Sequence, residues 1–206
     1  MGRNIFLTAL TLSSGCGHAA ERGPVPPPVK QPVKVSVIAK VVNAAEAQMR
    51  VTRVYDPAYT VIAYPNGDVA PEKGVCSDVI IRAFRVGGVD LQRLVHEDMR
   101  AHFRDYPQLW GLRRTDPNID HRRVANLMRF FTRRGVALSL SKAAGDYRPG
   151  DVVAWHLPNG RLHIGLVSDT FLAGRPLMVH NIGAGTQLED VLFAWPVIGH
   201  YRYFRT

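Results

Sequence analysis

Only two cysteines occur in the chain, and Cys76 lies in Gly74-Val75-Cys76-Ser77-Asp78-Val79-Ile80, where a turn runs into a helical pattern. A thiol in the first turn of a helix meets unpaired backbone N–H groups and the positive end of the helix dipole, and both favour the thiolate. With a histidinium nearby, such a position is expected to draw the thiol pKa from about 8.5 to roughly 3.5–7.5, the range of reactive cysteines. Two histidines offer themselves as partners. His163 heads the strand-like His163-Ile164-Gly165-Leu166-Val167, and His180 ends Pro176-Leu177-Met178-Val179-His180. Neighbouring antiparallel strands lie about 4.8 Å apart, so two such rings can hydrogen-bond. A thiolate, a base and a group that orients the base are what nucleophilic acyl transfer requires. Taken singly, a free cysteine packs as a small hydrophobe. The ordered trio points to chemistry instead.

The elements that must position these residues follow from apolar spacing. A helix is expected over residues 36–53, with Ser36 as N-cap and Val37, Val41, Ala44, Ala45 and Met49 on one face. After Cys76, the positions Val79, Ile80, Ala83 and Phe84 form one helical face that Gly87-Gly88 ends. A further helix starts near Asp90, buries Leu91, Leu94, Val95, Met99 and Phe103, and stops before Pro107. Another runs over residues 120–134, with Asp120 as N-cap, Val124, Leu127, Met128 and Phe131 inward, and Gly135 as its stop. Past Pro149-Gly150 the pattern changes to strands at residues 152–155, 162–168, 177–181 and 200–204. Helices first and an antiparallel meander afterwards predict an α+β architecture with the Cys76 helix packed across the sheet.

At this point the ordered motifs resemble a known family. Gly74-Val75-Cys76-Ser77-Asp78 resembles an Asp-Cys-Ser-Gly nucleophile segment, Tyr64 stands twelve residues upstream, and Arg148-Pro149-Gly150-Asp151-Val152-Val153-Ala154-Trp155 resembles a Pro-Gly-Asp-Leu strand entry. With the two histidine strands, the series resembles a DUF1287-type member of the NlpC/P60 branch of the papain-like cysteine peptidases. The resemblance implies a papain-like fold whose nucleophile helix packs on a C-terminal antiparallel sheet. It further implies Cys76 as nucleophile, His163 as base and later acid, His180 as the orienting residue, and Tyr64 assisting the Cys76 backbone N–H at the oxyanion. Asp78, Trp155 and Asn181 are expected at the substrate. Asn181 is also the alternative to His180, since adjacent strand positions face opposite ways and only one can serve. This chain differs from the family pattern at Val75, at Asp78 and in a long insertion, residues 91–134.

The resemblance implies no cofactor. His96 and His102 are six apart, whereas the zinc helix motif needs histidines four apart, so no metal is expected. The formal charge of +9 and pI near 10 suit an anionic partner. No zinc-finger spacing, RNP-like string or basic zipper is present, so nucleic acid is not expected. Residues 1–20 read as an export signal, with Ser14-Gly15-Cys16 resembling a lipoprotein cleavage site and His18-Ala19-Ala20 an ordinary one. Either removes or acylates Cys16, leaving Cys76 without a disulfide partner in an oxidising compartment. Residues 21–35, rich in proline, are expected to be a tether that holds no fold, ahead of a domain spanning residues 36–206. The expectation is an exported enzyme, in the periplasm or cell envelope and with a lipid anchor at Cys16 as one possibility, that cleaves amides in peptidoglycan stem peptides. The alternatives are a lipid acyl hydrolase or transferase with the same thiol and histidines, and a non-catalytic envelope-binding module.

Overall fold

In the computed structural model, which describes residues 27–31 and 36–205, the Ser36 hydroxyl accepts from the Ala39 N–H at 3.3 Å. This cap starts α1 (Val37–Ala47), which tightens into a 3₁₀ turn at Gln48–Arg50. Helix α2 (Cys76–Val86) begins at the cysteine itself. Helix α3 (Leu91–Ala101) starts from Asp90, whose carboxylate accepts from the Arg93 N–H at 3.2 Å. Helix α4 (Val124–Arg133) is shorter than expected. Asp120 does not cap it, because its carboxylate is taken by the Asp116 N–H at 2.6 Å and stands 3.3 Å from His96 Nδ1. Residues Asp120–Arg122 form a 3₁₀ turn instead.

The strands β4 (Val152–His156), β5 (Leu162–Leu172), β6 (Arg175–Asn181), β7 (Thr186–Glu189) and β8 (Val197–Tyr201) build an antiparallel sheet in the order β7-β6-β5-β4-β8. The first four form the meander, and β8 closes on the free side of β4. Three features depart from expectation. Strand β7 has no counterpart in the sequence reading, the last strand lies at Val197–Tyr201 rather than residues 200–204, and part of the proline-rich segment is structured. That part is β1 (Val29–Lys30), which pairs with Phe171 and Thr170 of β5. Lys30 fastens it, with Nζ 2.9 Å from Glu46 and 3.5 Å from Asp169. A small parallel pair joins β2 (Val54–Tyr55) to β3 (Lys73–Gly74), directly ahead of Cys76.

Alternation along the strands sorts the sheet into two faces. Val152, Ala154, Ile164, Leu166, Val179 and Tyr201 pack against the helices, where Val79, Ile80, Ala83 and Phe84 of α2 are all buried. Val153, Trp155, Val167 and Met178 meet a second layer made by Tyr147, Leu192 and Trp195. His163 alternates with Ile164 and so belongs to this second face, its ring stacked on Trp155 at 5.6 Å and edge-on to Trp195 at 5.8 Å.

The turn that enters β4 is locked by Asp151. Its buried carboxylate lies 2.7 Å from His200 Nε2 and accepts both a two-pronged contact from Arg202, at 2.8 and 2.7 Å, and the Arg148 N–H at 2.9 Å. Burial alone would raise its pKa, but these donors outweigh burial and hold it below the ordinary carboxylate value. A depressed folded-state pKa contributes stability that is present above the unfolded value, about 3.9, and is lost as pH falls through the folded one. Urea unfolding between pH 6 and 3 is therefore expected to show stability falling at the acid end, with a shallower fall in Asp151→Asn. Equal slopes would remove Asp151 from the acid transition.

Candidate active site

The local sequence explains why α2 starts where it does. Val75 is extended and offers no capping side chain, so Asp78 reaches back and its carboxylate accepts the Val75 N–H at 2.7 Å. The same carboxylate is held by Arg122, Nε to Oδ1 and Nη2 to Oδ2 both at 2.9 Å, with both side chains buried. Ser77 Oγ donates to the Arg122 carbonyl at 2.7 Å, and Arg122 also donates to the Ala58 and Asp56 carbonyls. The insertion thus returns a buried arginine that braces the first turn of α2. Asp78 is a structural cap and ion-pair partner, and the Arg122 guanidinium is spent on it and on two backbone carbonyls, with both side chains 3% exposed.

Asn181 joins this first turn to the sheet. Its Nδ2 donates to the Gly74 carbonyl at 3.1 Å, and its Oδ1 accepts from the Gly183 N–H at 3.3 Å. Both functions of the amide are occupied within the protein, so its role is to hold β6 to the segment before Cys76, not to meet substrate. His180, one residue earlier, faces the other way. Its Nδ1 lies 2.9 Å from His163 Nε2, so the structure pairs His163 with His180 and not with Asn181.

Register accounts for the histidine pairing. Leu166 stands opposite Val179 and Val167 opposite Met178, so His163 and His180 are diagonal neighbours across β5 and β6. Trp155 stands directly opposite His163 and supplies the wall its ring stacks on, anchored by an Nε1–H bond to the Leu192 carbonyl at 2.9 Å. Gly165 makes the room. A Cβ there would come within 3.1 Å of the Trp155 ring and of the Val179 carbonyl. Trp155, expected at the substrate, is fully buried and supports the His163 ring from below.

Cys76 is 4% exposed and packs in the core cluster that holds Ile164 and Leu166 of β5, with the Ile164 backbone N–H near enough to favour its thiolate. Burial pushes the thiol up to about 12, with the Asp78 charge adding to the rise and the Ile164, Ser77 and Cys76 N–H groups opposing it. The helix start was expected to lower this pKa. Desolvation outweighs it, because a thiolate sealed from water loses more hydration than a few N–H dipoles return. Burial and then His180 push His163 down to about 3. The resting pair is therefore a neutral thiol and a neutral imidazole. No hydrogen bond joins Cys76 to His163 among the described residues, a contact that often tightens only when substrate is bound.

A cleft of about 250 Å³ opens over His163, lined also by Tyr55, Leu157, Arg161, Ile182 and Trp195. Tyr55 is the tyrosine of this site. It is half-buried on β2, and a Cys76 thiolate lies near enough to raise its pKa, after burial itself. Tyr64, the tyrosine expected here, is 44% exposed, with its ring edge-on to His96 of α3 at 5.3 Å. Gln92 pulls its turn onto α3 by donating to the Ala63 carbonyl and accepting the Gly67 N–H, each at 2.8 Å. Sequence reasoning also missed Glu189, whose Oε2 lies 2.8 Å from His180 Nε2. The only trace was the short alternation Thr186-Gln187-Leu188-Glu189. Trp110 is 53% exposed under the Arg123 guanidinium, 4.1 Å from its ring centre.

Among solved structures, the chain is similar to NlpC1 from Trichomonas vaginalis, at 15% identity and TM-score 0.46, over 86% of this chain and 48% of that one. It is also similar to an N-acetylmuramoyl-L-alanine amidase from Bacteroides uniformis, at 10% identity and TM-score 0.44, over 80% and 98% of the two chains. In sequence it is 52% identical over 200 residues to the Escherichia coli K12 protein called "Uncharacterized protein YijF", covering 97% of this chain and 95% of that one. Residues 42–203, which hold Cys76, both histidines and the whole of the meander, match the family model "Domain of unknown function (DUF1287)", and the chain belongs to that family.

Proposed function

We propose that this protein is an exported cysteine hydrolase that cleaves amide bonds in peptidoglycan stem peptides. The observation that carries the reading is the 2.9 Å His163–His180 pair set at the end of β5 where the helix-initiating Cys76 thiol is buried. The resemblance of the motif series to NlpC/P60 peptidases supports it, and the net charge of +9 suits carboxylate-bearing stem peptides. Export rests on the first twenty residues, and that segment and Cys16 lie outside the described residues.

His163 Nδ1 takes the thiol proton as Cys76 sulfur attacks the amide carbonyl carbon. The Cys76 backbone N–H and the Tyr55 hydroxyl stabilise the oxyanion, and burial keeps that hydroxyl protonated as a donor. Protonated His163 then gives its proton to the departing amine, leaving a thioester. Water attacks the thioester while His163 accepts its proton; collapse breaks the C–S bond and releases the acid, and His163 returns the proton to the departing sulfur to restore the neutral pair.

A second reading has one observation in its favour. On the other side of Trp195 lies a cleft of about 690 Å³ lined by Leu140, Phe193, Ala194, Pro196 and Val197, with Lys142 at its edge. Its apolar walls suit an acyl chain, and a lipid acyl hydrolase would use the same thiol. Wild-type protein incubated with muropeptides and, separately, with phospholipid vesicles is expected to release new amino termini from the former only. Fatty acid release without muropeptide cleavage would reverse the assignment.

A further inference from the structure

We propose that Glu189 is a positioning residue that sets the tautomers of both histidines, so that His163 presents an unprotonated Nδ1 to the thiol. The proposal rests on the cysteine-hydrolase reading for its consequence in catalysis, but its geometry stands apart from that reading. In β7, Gln187 is directly opposite His180, and Glu189, two residues on, shares the side of the sheet that His180 occupies. Its Oε2 is 2.8 Å from His180 Nε2, within ion-pair reach although off the straight line of a hydrogen bond.

The tautomers follow by elimination along the row. A neutral imidazole donates from one nitrogen and accepts at the other, while an ionised carboxylate only accepts. Facing Glu189, His180 Nε2 must carry the hydrogen. Its Nδ1 is then bare and accepts, so the proton in the 2.9 Å contact with His163 belongs to His163 Nε2. His163 Nδ1 is left bare, as a base requires. Reversing the row would protonate His163 Nδ1 and block it. His180 is fully buried among Trp195 and His163, and Glu189 is the charged side chain in contact with its outer nitrogen. The Glu189 side chain is itself 46% exposed. It therefore supplies the acceptor, and a negative charge to balance the imidazolium formed during attack, without itself being buried.

The test is ¹⁵N NMR of histidine-labelled protein at neutral pH, with turnover measured in parallel on wild type, Glu189→Gln, Glu189→Ala and Asp190→Ala. Wild type is expected to show His163 and His180 both protonated at Nε2. Glu189→Ala should shift both toward the Nδ1–H form and lower kcat by roughly 10- to 100-fold with little change in KM, by analogy with the loss seen when a partner that orients a metal-ligating histidine is removed. Glu189→Gln, which keeps an acceptor oxygen, should retain the tautomers and more of the turnover. Asp190→Ala removes the neighbouring carboxylate, which pairs with Arg175, and should change neither. Unchanged tautomers in Glu189→Ala, or equal shifts in Asp190→Ala, would overturn the proposal. Should wild type prove inactive on muropeptides, the hydrolase reading falls while the spectra still decide the role of Glu189.

Discussion

Cys76→Ala is expected to lower turnover about a millionfold, His163→Ala to do nearly the same, and the double variant to be no worse than either. In the proposed mechanism, nucleophile and base act as one device. The thiol is useless without an acceptor for its proton, and the imidazole has nothing to activate once the sulfur is gone. The neutral resting pair makes the dependence severe, since burial holds the thiol up near 12 and His163 down near 3. At neutral pH almost no free thiolate exists to act alone, so attack must be coupled to proton transfer. Initial rates on muropeptides for the two single variants and the double variant check this. Losses that multiplied in the double variant would mean the residues act in separate steps.

Arg122→Ala is expected to cost about 3–5 kcal/mol of stability, the scale for removing one partner of a buried ion pair. The loss leaves the Asp78 carboxylate buried without its two-pronged donor, and it removes the donors to the Ala58 and Asp56 carbonyls. Replacing both charges by apolar residues of similar size, Asp78→Leu with Arg122→Met, should recover much of that cost, because no charge is then stranded. The double replacement also removes the Val75 cap, so recovery will be incomplete. Urea unfolding of the two singles and the double gives the coupling directly. A double variant no more stable than Arg122→Ala would show that the cap, not the ion pair, dominates at this turn.

Much of the positioning framework was legible in the chain because it rests on local periodicity. The stripe Val79, Ile80, Ala83, Phe84 is buried as its spacing required, and the helix it defines begins at Cys76. The strands bearing His163 and His180 were long enough for alternation to show, and their pairing follows from adjacency in the meander. What escaped notice depends on distant partners or on elements too short to carry a period. Asp78 reads as a departure from a motif until Arg122, 44 residues on, is seen beside it. Glu189 belongs to a strand of four residues. Counting upstream from the cysteine selected Tyr64, but α3 draws that turn away, and β2 brings in Tyr55 through pairing with β3. The thiol pKa could not be read from the helix start because burial is a property of the packed whole.

Strand β1 fixes a direction that matters for handling the protein and for how it presents itself. It pairs at Phe171 and Thr170, whereas His163 stands at the other end of the same strand. Eight residues of extended chain separate the two ends by roughly 26 Å, at about 3.3 Å per residue. Val29 and Lys30 are therefore fastened at the end of β5 away from the cleft over His163, so a label or crosslink placed on them would sit clear of that cleft.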